Sequence, residues 1–130
     1  MRTINPTAFA ELLQTGAPLH ILDVRTAGEI LKERLAVPVV RQETHIQPHI
    51  EQLKRAFPDQ GEPLYVLCKA GVRADKAARN LERDESGFAD IVVIRGGLDA
   101  LKNIAGVEIR RGEEVAPVPA APSPFGKGPA

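Results

Sequence analysis

Pro63-Leu64-Tyr65-Val66-Leu67-Cys68-Lys69-Ala70-Gly71-Val72-Arg73-Ala74 begins with a proline-opened apolar run, continues with a thiol, and ends in a short stretch carrying one glycine and two cations. Leu64 to Leu67 are apolar at successive positions, the pattern of a strand covered on both faces in a parallel sheet. Ala74, Ala77, Ala78 and Leu81 then recur at helical spacing. The segment is therefore a buried strand, a tight loop and a helix. In open α/β sheets, ligands bind beyond the carboxyl ends of the strands, where the following helix turns its unpaired N–H groups. A thiolate placed there is favoured by the positive end of the helix and by Lys69 and Arg73, and Gly71 lets the loop curl without a Cβ penalty. A Cys ending an apolar strand is more often inert packing. A plain strand-to-helix connection, however, needs neither a glycine nor two cations in the five residues after a thiol, which makes Cys68 the candidate nucleophile.

The flanking sequence alternates the same two kinds of element. Asn5 as a cap, Pro6 at the first helical position, a face of Phe9, Leu12 and Leu13, and a stop at Gly16 predict a helix from Pro6 to Thr15. Leu19 to Val24 reads as a buried strand with Asp23 and Arg25 at its carboxyl end, Ala27 to Leu35 as a short helix, and Val37 to Val40 as a short strand. Ile46, Ile50, Leu53 and Phe57 predict an amphipathic helix from Thr44 that Pro58 stops. Ile91 to Ile94 is a further buried strand, Gly96-Gly97 a sharp turn, and Leu98 to Asn103 a last short helix. This alternation predicts an α/β fold with a mainly parallel central sheet flanked by helices. Past Gly112 the composition changes: five of the 11 Pro lie between Pro117 and Pro129, among Ala, Ser and Gly. The expected division is a domain over residues 1–112 and a disordered, Pro/Ala-rich tail over 113–130.

A chain of 130 residues that is 43% hydrophobic has the size and composition of one globular domain. Its 17 basic and 17 acidic residues balance, and with a single Tyr it lacks the basic excess and the stacking aromatics expected of a nucleic-acid binder. No apolar run is long enough to span a membrane. One Cys cannot close an internal disulfide, so a reducing, cytoplasmic setting is expected. His45 and His49, four apart on a predicted helix, supply at most half of a metal site, and no Cys or carboxylate cluster completes it, so no metal or cofactor is expected. Gly96-Gly97 lacks the surrounding glycines of a phosphate cradle and reads as the steric requirement of a turn. Asp23 and Arg25 are assigned a supporting role, as an internal salt bridge or loop anchor.

Cys68 through Ala78 resembles the active loop and helix of the rhodanese family, in which a strand ending in Cys leads into a Cys-x-x-Gly-x-Arg loop. Ile21-Leu22-Asp23-Val24-Arg25 with Gly28-Glu29 resembles the family's Leu-Ile-Asp-Val-Arg segment, and Val93 to Leu98 its late Leu-x-Gly-Gly turn, so the likeness runs from about Ile4 to Gly112. The resemblance implies a single rhodanese-like domain and a ping-pong sulfurtransferase. Cys68 would take the outer sulfur of a donor such as thiosulfate and pass it to a thiol, to cyanide or to a sulfur-relay protein. It further implies that backbone N–H groups of Lys69, Ala70, Gly71, Val72, Arg73 and Ala74 ring the persulfide, that Arg73 binds the donor's sulfonate oxygens, and that Lys69 assists. Some positions depart from the family pattern. Lys32 to Val40 lacks the common His-Ile-Pro-Gly-Ala segment, Thr26 stands where an acidic residue is common, Leu101 replaces a frequent Trp, and Ala74 a frequent Ser or Thr. Phosphatases and arsenate reductases of related fold place five residues between Cys and Arg, whereas four separate Cys68 from Arg73, a ring suited to a single sulfur atom. A persulfide carrier or protein-interaction module with little thiosulfate turnover is the remaining alternative.

Overall fold

The structure is a computed structural model and describes residues 1–44 and 47–113. In chain order its elements are β1 (Arg2–Ile4), α1 (Pro6–Gln14), β2 (His20–Asp23), α2 (Ala27–Lys32), β3 (Arg34–Leu35), β4 (Val40–Arg41), α3 (Ile50–Ala56), β5 (Leu64–Leu67), α4 (Val72–Arg83), β6 (Ile91–Ile94), α5 (Gly97–Leu101) and β7 (Ile109–Arg110). Five strands form one sheet in the order β1-β6-β5-β2-β4, with every ladder parallel. Beside it, β3 and β7 form an antiparallel pair. This is the α/β architecture that the alternation predicts. β5, the strand that ends at Cys68, lies in the middle of the sheet, with Leu64 in register with His20 on one side and Ile91 on the other.

Because successive side chains of a strand point to opposite faces, the apolar run of β5 feeds two cores. Leu64, Val66 and Cys68 join Leu53 of α3 and Ala74, Ala77, Ala78 and Leu81 of α4 on one face. Tyr65 and Leu67 join Phe9 of α1 and Leu98 and Leu101 of α5 on the other. Leu101 is fully buried here. Among the described residues, no helix is long and apolar enough to cross a membrane.

The largest differences from the expected elements arise where long-range pairing or a proline decides the backbone. α2 stops at Lys32 rather than Leu35, because Arg34 and Leu35 are taken up in the pairing with Arg110 and Ile109. α3 begins at Ile50 rather than Thr44; Pro48 disfavours helical geometry at the residue before it, and the Gln42 side chain holds the His49 backbone, accepting from its N–H at 2.8 Å and donating to its carbonyl at 3.2 Å. The short strand predicted over Val37 to Val40 falls at Val40–Arg41. β1 and β7 have no counterpart among the predicted elements. β1 is anchored by Arg2, whose Nε and Nη2 each donate to Asp90 at 2.9 Å. His45, and the tail from residue 114 onward, lie outside the described residues.

Candidate active site

β5 ends at Leu67, and Cys68 is the first residue of the connection to α4. That connection is held from two directions. Gly71, the residue before α4, has φ of +107°, a left-handed conformation that a side chain would strain. This turn directs the Gly71 N–H to Cys68 Sγ at 3.0 Å and the Ala74 N–H, in the first turn of α4, to the same sulfur at 3.3 Å. The sulfur thus accepts two of the donors that a helix N-terminus otherwise leaves unpaired, serving where a side-chain cap would. On the other side, the carbonyls of Cys68 and Lys69 accept from Leu98 N–H at 2.9 Å and Asp99 N–H at 3.0 Å at the start of α5. With its carbonyl oxygens drawn toward α5, the loop keeps N–H groups facing the sulfur.

Gly97 makes that approach possible. A Cβ there would lie 2.5 Å from both the Cys68 and the Lys69 carbonyl oxygens. The requirement for glycine thus comes from contact with the Cys68 loop as well as from the φ of +60° of the turn.

Several expected site residues sit differently from their sequence-based picture. Cys68 is fully enclosed, at 0% exposure, and packs in the α4-side core, while Lys69 and Ala70 beside it are exposed. Two amides of the ring from Lys69 to Ala74 reach Sγ, those of Gly71 and Ala74. Arg73 does not point freely outward. Its Nη1 and Nη2 donate to Glu29 Oε1 and Oε2, each at 2.8 Å, in a two-pronged ion pair. Lys69 Nζ, on the exposed rim, donates to Asp99 at 3.0 and 3.3 Å. Ala70 and Val72 are exposed, Val72 at 68%.

Asp23 and Arg25 form the internal salt bridge expected of them. Both are buried, and Arg25 donates to the Asp23 carboxylate through its backbone N–H, Nε and Nη2 at distances from 2.8 to 3.2 Å. Its Nη1 donates to the Glu33 carbonyl at 2.8 Å, tying the end of β2 to the end of α2. Among the described residues no group of three His, Cys, Asp or Glu side chains converges as metal ligands would.

Sequence reasoning assigned no role to Glu29 or Asp99. The signal for Glu29 was present as Thr26-x-x-Glu29, a capping box: Thr26 Oγ1 accepts from Glu29 N–H at 3.1 Å, and Glu29 Oε1 accepts from Thr26 N–H at 2.9 Å. The box gives Thr26 its place as the cap of α2. Arg73, followed by the Thr26 N–H, holds the Glu29 carboxyl down at about 2, and Glu29 in turn raises the Arg73 guanidinium above its ordinary value. Asp99 carries no sequence signal, because only the fold brings it to Lys69.

The family model of the Rhodanese-like domain matches residues 5–104. The chain belongs to the rhodanese-like domain family. That membership places it in the sulfurtransferase superfamily. Among solved structures, this rhodanese-like domain resembles a rhodanese-like domain protein from Staphylococcus aureus (24% identity, TM-score 0.58, 85% of this chain and 99% of that one). It also resembles a Rhodopseudomonas palustris protein of unknown function described as a possible tyrosine phosphatase (23%, TM-score 0.67, 85% of each chain). A thiosulfate sulfurtransferase from Pseudomonas aeruginosa shares the fold over 86% of this chain and 20% of its own length (21%, TM-score 0.63). At these identities the likeness establishes the fold. No curated protein matches the chain.

Proposed function

We propose that this rhodanese-like domain is a sulfurtransferase that carries a sulfane sulfur on Cys68. The observation behind this reading is the sulfur's position at the end of the central strand, with the Gly71 and Ala74 N–H groups aimed at it. Preorganised donors of this kind stabilise negative charge, whether on a thiolate or on the outer sulfur of a persulfide. With thiosulfate, the Cys68 thiolate attacks the outer sulfur, a new S–S bond forms, and the S–S bond of the donor breaks with its electron pair leaving on sulfite. A thiophilic acceptor, such as a thiol or cyanide, then takes the outer sulfur and returns the Cys68 thiolate. Cys68 is enclosed, so the loop after it opens for a donor to reach the sulfur.

Phosphatase chemistry is the weaker reading, although one neighbour of similar fold is described as a possible tyrosine phosphatase. Four residues separate Cys68 from Arg73, and the arginine that would have to grip a tetrahedral oxyanion is bound to Glu29. A cytoplasmic site of action fits the lone thiol, which is most easily kept reduced there.

The test is mass spectrometry of the protein after treatment with excess thiosulfate or an alkyl persulfide, followed by a chase with cyanide. The intact chain should gain one sulfur atom on Cys68 and lose it to cyanide, and Cys68→Ala should do neither while keeping its circular dichroism spectrum. Transfer retained in Cys68→Ala would refute the assignment, since the chain has no second Cys.

A further inference from the structure

The chain passes from the described domain into its tail beside a cleft. After β7, Gly112 turns the backbone with a φ of +82° and is fixed by two bonds where α2 ends and β3 begins. Its N–H donates to the Leu31 carbonyl at 2.8 Å, and its own carbonyl accepts from Arg34 Nη1 at 2.8 Å. The next residue, Glu113, lines a cleft of about 390 Å³ between α2 and the end of β4. Ile30 and Leu31 give that cleft apolar surface, and Leu31 is one of two large apolar side chains left exposed among the described residues, at 46%. Arg34 and Arg41 bring guanidinium groups to it, against Glu43 as the carboxylate that the domain itself contributes. Arg25 also lines the cleft and is paired with Asp23.

Glu114 and Val115 come next in the chain. An extended chain advances at most about 3.6 Å per residue, so both stay within about 7 Å of Glu113, a residue already on the cleft wall. One brings a carboxylate and the other a branched apolar side chain, the complements of Arg41 and Leu31. We infer that Glu114 and Val115 dock in this cleft in cis, the Glu114 carboxylate on Arg41 and the Val115 side chain on Leu31, so that the domain closes at Val115 rather than at Gly112. Tethering makes weak contacts sufficient. A single residue separates the Gly112 anchor from the docked pair, so closing the loop costs little chain entropy, and a ligand held on so short a tether acts at about millimolar effective concentration or above. The dock is independent of what Cys68 carries.

The experiment is NMR relaxation on the full chain, in wild type, Arg41→Glu, Glu114→Arg and the charge-swapped double variant. Arg41 is exposed, and the amide dispersion of each variant checks that the fold is kept. In wild type the backbone order parameters of Glu114 and Val115 should reach about 0.8, against less than about 0.6 past Pro119, and nuclear Overhauser contacts should join the Val115 and Leu31 methyl groups. Each single charge reversal should bring both residues below about 0.6 and remove those contacts, and the double variant should restore them. Low order in wild type, single variants as ordered as wild type, or a double variant no more ordered than the singles each overturn the inference. Contacts that fade on dilution also overturn it, because they place the two residues on a second copy of the chain. A synthetic peptide of residues 113–122 gives the last check. At about 1 mM it should shift the Leu31 signals of Glu114→Arg and leave those of wild type in place; equal shifts in both mean that the cleft is not filled in cis, and the inference fails.

Discussion

Gly97 shows how much of the site depends on one missing methyl group. Its ideal Cβ would stand 2.5 Å from the carbonyl oxygens of Cys68 and Lys69, both backbone atoms that cannot turn aside. Gly97→Ala must therefore push the Cys68 loop and α5 apart, stretching the bonds that Leu98 and Asp99 N–H make to those carbonyls. The strain of a left-handed alanine and the lost bonds together should cost about 1–3 kcal/mol, with sulfur loading reduced by more than the small loss of folded protein explains. Gly16→Ala is the control, because its φ of +77° is equally left-handed but nothing lies within 4 Å of its Cβ position. Chemical denaturation paired with the loading assay distinguishes the two, and equal loading by both variants would show that the close approach does not shape the site. Glu29 gives a second prediction at this scale. Its folded carboxyl sits at about 2, against an ordinary 4.5, so its contribution to stability is fully present above about 4.5 and is lost as the pH falls toward 2. Wild type should therefore lose more stability than Glu29→Gln between about pH 5 and pH 2. The lowered carboxyls of Glu33, Asp84 and Asp90 are shared by both proteins and cancel in the comparison. A difference that stays constant across this range would mean that the Arg73 pair does not hold the charge on Glu29.

At the scale of elements, what was legible in the sequence follows from how locally each element is determined. β5 and β6 occur where four consecutive apolar residues predict them, because a strand buried on both faces needs no alternation to declare itself. α1 starts at Pro6 as its cap and proline predict, with Asn5 Oδ1 accepting from Thr7 N–H at 2.8 Å. The elements that were missed or misplaced draw their stability from partners far along the chain. β1 has the residues Arg2, Thr3 and Ile4 and no apolar pattern, and it is a strand because β6 offers a parallel edge. β3 interrupts what reads as a continuing helix because β7 pairs with it from more than seventy residues away. The site divides along the same line. Cys68, Gly71 and the start of α4 are contiguous and could be read directly. The carboxylates facing Lys69 and Arg73 come from α5 and α2, and no spacing rule links them to the loop. The two cations were therefore legible as residues while their neutralisation was not.

At the scale of the whole molecule, the Cys68 loop is where the two packing layers meet. α4 reaches the sulfur from one face of the sheet through Ala74, while α5 holds the Cys68 and Lys69 carbonyls from the other through Leu98 and Asp99. Each helix is seated by a fully buried leucine, Leu81 for α4 and Leu101 for α5. Leu53 of α3 is equally buried and belongs to the same core as Leu81, but it stands on a helix that supplies none of the bonds to the loop. Replacing any of the three by Ala removes the same atoms from a fully enclosed position and should cost about 2–5 kcal/mol. In a domain of this size that is a fall in Tm of roughly 10–30 °C, so loading is compared well below the lowest Tm, at equal concentrations of folded protein. Under those conditions Leu53→Ala should load Cys68 at nearly the wild-type rate. Leu81→Ala and Leu101→Ala should be slower by about tenfold, as the amide cradle or the carbonyl clamp shifts with its helix and a weakened N–H bond to the reacting sulfur forfeits on the order of 1.5 kcal/mol. If all three variants load alike, the loop holds its own geometry, and the two helices serve stability without shaping the chemistry.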